Sequence, residues 1–313
     1  MQNLLDVLAE PGTLANLEYQ EAEDAFTVVE HPDRKYQIDQ GVPYFLPEAD
    51  TAVVQDGPHV KHGTDFAYLD HYTKDAEVFD YFETPADPAT VHENRRLHEV
   101  ILRKLPGKEM RLLDVGCGGA WLAAATIPNQ ALVISFDVAH RNTTEAKKQY
   151  NADNHFAVTG DVYKLPFRSD SFDAVVSAEV IEHVPDVSGY LDSLLRVVKP
   201  GGRVIVSTPY NEKIQYSLCI HCNRVTPLHA HLRSFKENTL AKYLEERGDV
   251  RYHTVVFSSK VLLMLRTHVL LKYLPHRLWR WVDGLATRLV RKPSRLIYVL
   301  DKQVGSGRPV RIL

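Results

Sequence analysis

Cysteine is scarce in this chain. There are three in 313 residues, and none precedes Cys117. So few cannot build a disulfide framework, which removes the small cross-linked secreted classes. Long apolar runs are also missing: nothing approaches the ~20 residues needed to span a bilayer. Met1, Gln2 and Asn3 carry no positive charge, and Asp6 and Glu10 interrupt the apolar residues that follow, so the pattern of a secretory leader is lacking. Internal repeats and low-complexity tracts are absent as well. The expectation is a cytoplasmic protein in a reducing compartment. What is present is ordinary for a globular chain, 44% hydrophobic and 25% charged, enough for one large or two modest domains. The net charge of -3 hides an asymmetry: residues 1–100 hold 21 acids and 6 bases, residues 261–313 hold 2 acids and 11 bases.

The chain is organised around Leu112 to Ala120. An apolar run ends in Asp114 and Val115, and a turn with Gly116, Gly118 and Gly119 leads into helix-compatible residues from Trp121. That reads as a buried parallel strand, a tight turn and a helix start. A second strand over 131–136 ends in Asp137, about 20 positions past the turn, where a ribose hydroxyl pair needs an acceptor. A third short apolar segment precedes Gly160 and Asp161, and a fourth strand over 172–178 runs into Glu179, Glu182 and His183. Acids and a glycine turn thus fall at the carboxyl ends of successive strands, the edge where open α/β sheets bind ligands. A nicotinamide-dependent dehydrogenase would place a further glycine at position 121, which is Trp121, and has no use for Glu179 to His183.

Asp114 to Gly118, Asp161 ahead of Leu165-Pro166-Phe167, and Glu179 to Val184 resemble the class I S-adenosylmethionine (SAM) methyltransferases, in the small-molecule branch that includes ubiquinone-biosynthesis methyltransferases. The resemblance spans about residues 90 to 260; Ala120 stands where many members have a third glycine. It implies an α/β fold: a Rossmann-like, seven-stranded, mostly parallel sheet whose last strand is antiparallel. It also implies SAM as cofactor, contacted by Asp114, Gly116, Cys117, Gly118, Asp137, Val138, Asp161, Val162 and Glu179. Asp114 would hold the amino end, Asp137 the ribose, and Asp161 with the Val162 N–H the adenine. Arg95 or Arg96 is a candidate partner for the methionine carboxylate.

Methyl transfer from a sulfonium needs an aligned nucleophile and a place for its proton. The candidate catalytic residues are Glu182, His183 and, through the resemblance of residues 231–235 to the loop before the next helix in small-molecule methyltransferases, His231. A helical turn would put Glu179 and Glu182 on one face with His183 adjacent. Three readings of that group stand: a divalent metal site closed by His229 or His231, as in metal-assisted O-methyltransferases that the spacing resembles; His183 as general base without metal; or a structural histidine. Metal is not the favoured one. Cys219 and Cys222 with His229 or His231 have the number of ligands for zinc, but the two histidines lie closer than the usual three- to five-residue spacing.

Residues 1–50 form a small β module, with strands expected near 17–19, 26–29, 35–38 and 42–47 behind a short helix over 3–9. The module resembles the zinc-ribbon activators of tRNA methyltransferases, but has no cysteines and must hold by its β-core. Residues 51–105 read as a helical lid and lead-in, and 106–313 as the methyltransferase domain with a helical insertion over about 261–293. Within residues 274–292, Leu278, Val282, Leu285 and Leu289 share a stripe with Trp281 at its margin and arginines on the flanks. That stripe either packs on the core as a cover of the substrate entrance, the favoured reading, or makes a peripheral membrane contact. The acceptor expected is a small molecule; DNA is not expected and RNA is disfavoured. A SAM-binding partner subunit without turnover, and a metal-using RNA 2′-O-methyltransferase, are the alternatives.

Overall fold

The computed structural model describes residues 2–47, 66–220, 223–244 and 247–305. A one-turn helix, α1 (Gln2–Leu5), opens the chain. Strands β1 (Leu17–Gln20), β2 (Ala25–Val28), β3 (His31–Asp39) and β4 (Val42–Pro43) then form an antiparallel sheet in that order. The module does not hold by its own core. Leu4, Leu8, Phe26 and Phe45 share one apolar cluster with Phe136, Val158 and Phe167 of the large domain. Its backbone is tied across as well, by Phe45 N–H donating to the Thr159 carbonyl at 2.9 Å. Glu10, buried beside Pro11, accepts from Arg34 at 3.2 Å and Tyr36 at 3.3 Å, and also from Thr13. A buried carboxylate persists only with such partners.

Two helices follow, α2 (Tyr68–Val78) and α3 (Pro88–Leu102). Asp87 caps α3 through the Ala89 and Thr90 N–H groups, with Pro88 pre-set at the first helical position. The domain then alternates: β5 (Arg111–Val115), α4 (Trp121–Thr126), β6 (Leu132–Asp137), α5 (His140–Gln149), β7 (His155–Thr159), β8 (Phe172–Ala178), α6 (Val187–Val197), β9 (Val198–Pro209). A hairpin of β10 (Tyr216–Leu218) and β11 (Val225–Pro227) and the short α7 (Ala241–Leu244) precede β12 (Val250–Ser259). The insertion holds α8 (Lys260–Met264), α9 (His268–Leu271) and α10 (His276–Leu289), and β13 (Pro293–Lys302) closes the sheet.

The sheet order is β12-β13-β9-β8-β5-β6-β7, with β13 antiparallel to both its neighbours and the other strands parallel. This is the expected seven-stranded, Rossmann-like arrangement. Central strands are buried on both faces: every residue of β6 is buried, including Ser135 and Asp137. Leu113, Val175 and Val204 face the cluster under α6 and the N-terminal sheet; Leu112, Val176 and Ile205 face the cluster with α3 and Trp279 of α10. β5 pairs with β6 on one side and β8 on the other, so the strand order reverses there and opens a crevice at the carboxyl ends.

Two sequence expectations fail on the α3–α10 face. Arg96 is fully buried and donates to the Leu271 and Leu274 carbonyls at 2.7 and 2.8 Å, while Arg95 donates to Lys272 O at 2.9 Å. These arginines pin the insertion and do not reach the glycine turn. The apolar stripe of α10 does not pack on the core either. Trp279 and Asp283 are the buried residues, with Asp283 accepting from the Ser258 and Ser259 N–H groups. The opposite side therefore faces solvent, with Leu278 54%, Trp281 69% and Leu289 77% exposed.

Candidate active site

The glycine turn is built by the two strands beneath it. Gly116 and Cys117 N–H both donate to the Phe136 carbonyl, at 2.8 and 3.0 Å. Gly118 N–H donates to Asp137 Oδ2 at 3.0 Å, and Ala139 N–H to Oδ1 at 2.9 Å. Gly116 has φ +74°, and a Cβ there would lie 2.4 Å from Val180 Cγ2. Val180 lies in the loop after β8, so the turn and the Glu182–His183 loop are in direct contact. Ala120 is left-handed at φ 52° and fully buried, so the missing third glycine leaves a strained alanine at the start of α4. Cys117 is buried, and burial pushes its thiol up, so it is an inert part of the turn.

Asp114 is 1% exposed, and neither carboxylate oxygen has a hydrogen-bond partner. Burial, with Asp137 nearby, pushes its carboxyl up to about 8. A cationic ammonium is the group such a site lacks, and the methionine end of SAM carries one. The residues present therefore fit the cofactor: Asp114 and the glycine turn for its amino-acid end, Asp137 with Val138 at the end of β6 for the ribose. Asp137 is buried, which raises its pKa against the opposing pull of the Ala139 and Gly118 N–H groups. Asp161 Oδ1 caps a single 3-10 turn through Tyr163 N–H at 3.0 Å, with Val162 half-buried at its start. Asp161 Oδ2 accepts from Tyr68 at 2.7 Å.

α2 and the segment after it cover this edge. Tyr68 holds Asp161, and the Tyr72 ring meets His183 edge-on at 5.6 Å. Tyr81 lies across the turn, its carbonyl so near Gly119 that a Cβ there would sit 2.2 Å away. Arg141 of α5 fastens the helix by donating to the Ala76 and Glu77 carbonyls, both at 2.8 Å. The aromatic spacing of residues 66–82 is the sequence signal for this cover; the use of Gly119 has none.

Glu182, His183 and His231 come together. One donor atom from each lies within 4.8 Å of the others, a set that could hold a metal ion. Glu182 is 1% exposed with Oε2 unpaired, and burial and the neighbouring Glu179 push its carboxyl well up. His183 is held near 4 by burial and by His231, so it is a neutral imidazole at neutral pH, with a buried, unpartnered Nδ1. His231 Nδ1 meets Glu212 Oε2 at 2.5 Å, a contact with no signal in the sequence pattern. Non-glycine residues with positive φ crowd here: Glu179 (58°), His229 (58°) and Ala230 (53°). Such strain costs about 1–3 kcal/mol per residue and gathers where side-chain placement matters.

Two expectations are corrected at this edge. The loop after β8 is not helical, and Glu179 does not share a face with Glu182 as a donor. Its Oε1 accepts from Ser207 Oγ at 2.9 Å and its Oε2 pairs with Arg295, which hold the carboxylate against β9 and β13. The candidate zinc set includes Cys222, which lies outside the described residues; of its other members, His231 lies against Glu212 and His183.

Residues 113–206 match the family model described as a methyltransferase domain. Curated ubiquinone biosynthesis O-methyltransferases are similar to this chain. The one from Rhizobium etli is 34% identical over 107 residues, 33% of this chain and 42% of the relative. The one from Cereibacter sphaeroides is 35% identical over 120 residues, 37% of this chain and 48% of the relative. The chain thus spans about half the length of the curated relatives it matches. A crystal structure of an S-adenosylmethionine dependent methyltransferase from Mesorhizobium loti aligns at 17% identity with a TM-score of 0.48, covering 67% of this chain and all of that one. No helix among the described residues is long and apolar enough to cross a membrane. With the glycine turn, the strand order and the matched segment in agreement, residues 113–206 are a class I S-adenosylmethionine-dependent methyltransferase domain.

Proposed function

We propose that the chain transfers the methyl group of SAM to a hydroxyl of a small-molecule acceptor. The observation that carries this reading is the convergence of Glu182, His183 and His231 beside the glycine turn. The acceptor oxygen attacks the methyl carbon in line; the carbon–sulfur bond breaks, and sulfur keeps its electron pair as the thioether of S-adenosylhomocysteine. The hydroxyl proton must leave, and the neutral imidazole of His183 offers the Nδ1 lone pair that takes it. The same three donors fit a divalent cation, with Glu182 and the two imidazoles as ligands. Such an ion would lower the pKa of a bound hydroxyl and orient it. The similarity to ubiquinone biosynthesis O-methyltransferases favours a phenolic or quinol-type acceptor.

The test is turnover of labelled SAM on a panel of catechols, quinols, carboxylates and a short RNA, with and without chelator, while SAM binding is followed by calorimetry. Methylation of hydroxylated small molecules supports the reading. Turnover lost in chelator and restored by a divalent ion, with SAM binding intact, assigns the metal; full activity in chelator leaves His183 as base. Tight SAM binding with no methylated product from any acceptor would falsify the enzymatic reading in favour of a SAM-binding subunit.

A further inference from the structure

We infer that the insertion between β12 and β13 is a docking surface for an anionic lipid bilayer. Residues 260–292 hold eight Lys or Arg and one acid, Asp283, which is buried. All three helices of the insertion keep large apolar side chains in solvent: Met264 is 82% exposed, Leu270 74%, Trp281 69% and Leu289 77%. On α10 these are the residues of the sequence-readable stripe, while Trp279 and Asp283 anchor the other side. A helix that offers its apolar stripe to water and anchors itself through its other face has the build of an interfacial helix.

Charge decides the occupant. Arg266, Lys272, Arg277, Arg288 and Lys292 are exposed along the same segment. Beside α10 a groove of about 400 Å³ opens between the helix and Val256 of β12, lined by Arg280, Arg288 and Arg291 and by the carboxylate of Asp283. Gly284 borders it, and a Cβ added there would meet nothing within 4 Å, so that side of the groove is open. Arg280 pairs with Asp283 and Arg291 with Glu237, and the exposed Arg288 and Arg291 at the rim of the groove suit a phosphate-bearing headgroup. Apolar side chains next to it suit the acyl boundary.

Position supports the same occupant. Ser259 at the end of β12 pairs with Pro293 at the start of β13, and Arg295 pairs with Pro209 at the end of β9. The insertion therefore springs from the carboxyl edge of the sheet, where Arg295 meets Glu179. A bilayer held there would lie at the edge that carries the active site and would deliver an acceptor of low water solubility to it. Vesicle binding is read without turnover, so its outcome does not depend on the identity of the acceptor.

The experiment is cosedimentation of the full chain with vesicles of phosphatidylcholine alone and of phosphatidylcholine with phosphatidylglycerol in equal parts, at low and high salt. Binding is expected only to the anionic vesicles and should fall steeply with salt. Arg288→Gln should weaken it by about fivefold. Trp281→Ser with Leu285→Ser should abolish it while the melting temperature and SAM affinity stay unchanged. Emission from Trp281, against a Trp281→Phe control, should shift to the blue on binding. No binding to anionic vesicles at low salt overturns the inference. So does equal binding by the apolar variant, which marks a general polyanion surface, or loss of a chain dimer in that variant without any vesicle binding.

Discussion

The imidazole rings of His183 and His231 meet edge to face with centroids 4.8 Å apart, although they come from the loop after β8 and the loop before α7. The pair is held from behind: Glu212 fixes His231 through Nδ1, and the Leu232 N–H donates to the Glu182 carbonyl at 2.8 Å. Glu212 is therefore a positioning residue. Glu212→Gln should lower turnover by about 10- to 100-fold and weaken metal binding in parallel, with SAM affinity unchanged. Partial rescue by Glu212→Asp separates positioning from a folding defect, and unchanged turnover in Glu212→Gln would remove the role.

Metal binding should release a proton. Burial and the Glu179 charge push the Glu182 carboxyl well up, which favours the protonated form that a metal must displace. His183, held near 4, is already neutral and contributes none. Metal affinity should therefore rise with pH until the raised Glu182 pKa is passed. Titrations of Mn²⁺ in buffers of different ionisation enthalpy measure the count, which should fall to none in Glu182→Gln. Proton release that persists in that variant places the proton elsewhere.

Asp114 sets a pH dependence of stability in the chain without cofactor. Its folded pKa of about 8 lies above the ordinary carboxyl value of 3.8. The folded state thus holds a proton that the unfolded state has lost, and its contribution to stability falls as pH rises from about 4 toward about 8. Asp114→Asn removes the ionisation. The variant should gain melting temperature relative to the parent, more at pH 8 than at pH 5, and should lose SAM affinity. A difference that does not change with pH would mean that Asp114 is ionised and paired.

The parts of this protein that sequence makes legible are those governed by periodicity. β5, β6, β8 and β9 each carry a mostly apolar core of four to six residues, and each of the acids at 114, 137 and 161 lies at or just past a strand's carboxyl end. Glu182, His183 and His231 are legible through the resemblance of residues 179–184 and 231–235 to methyltransferase motifs. Contacts across long separations leave no such trace. Arg96 is an ordinary helical arginine until Leu271 and Leu274 turn their carbonyls to it. The stripe on α10 is equally visible in sequence, but which side of the helix is anchored depends on Trp279 finding its place beside Phe257 and Leu97. The helical spacing read into Glu179 and Glu182 fails because Glu179 adopts φ 58° and pairs with Arg295.

Gly116 tests the packing of the turn against the catalytic loop. At φ +74° an alanine is strained, and its methyl would meet Val180 Cγ2 at 2.4 Å. Gly116→Ala should cost about 1–3 kcal/mol of stability. Adding Val180→Ala relieves the collision but not the backbone strain, so the double variant should recover part of the loss in chemical denaturation. No recovery would mean that the backbone alone demands the glycine.

Asp137 holds the turn and is the proposed ribose acceptor, and its variants should separate the two roles. The carboxylate holds the turn, with Gly118 N–H on one oxygen and Ala139 N–H on the other. It also stands at the end of β6, where the ribose hydroxyls of SAM are expected. Asp137→Ala removes both acceptors and the charge, and should cost about 1.5–3 kcal/mol of SAM binding, roughly ten- to hundredfold in affinity. Asp137→Asn keeps one acceptor oxygen for a backbone N–H but replaces the other with a donor that opposes the second. It should keep the fold, because the uncharged amide costs less to bury than a carboxylate. It should still lose affinity, because a ribose hydroxyl pair donates best to two anionic oxygens. Hydrogen exchange at the Gly118 and Ala139 amides reports the first duty, and calorimetry with S-adenosylhomocysteine reports the second. Faster exchange with unchanged affinity in Asp137→Ala would confine the residue to the turn and place the ribose acceptor elsewhere on the sheet edge.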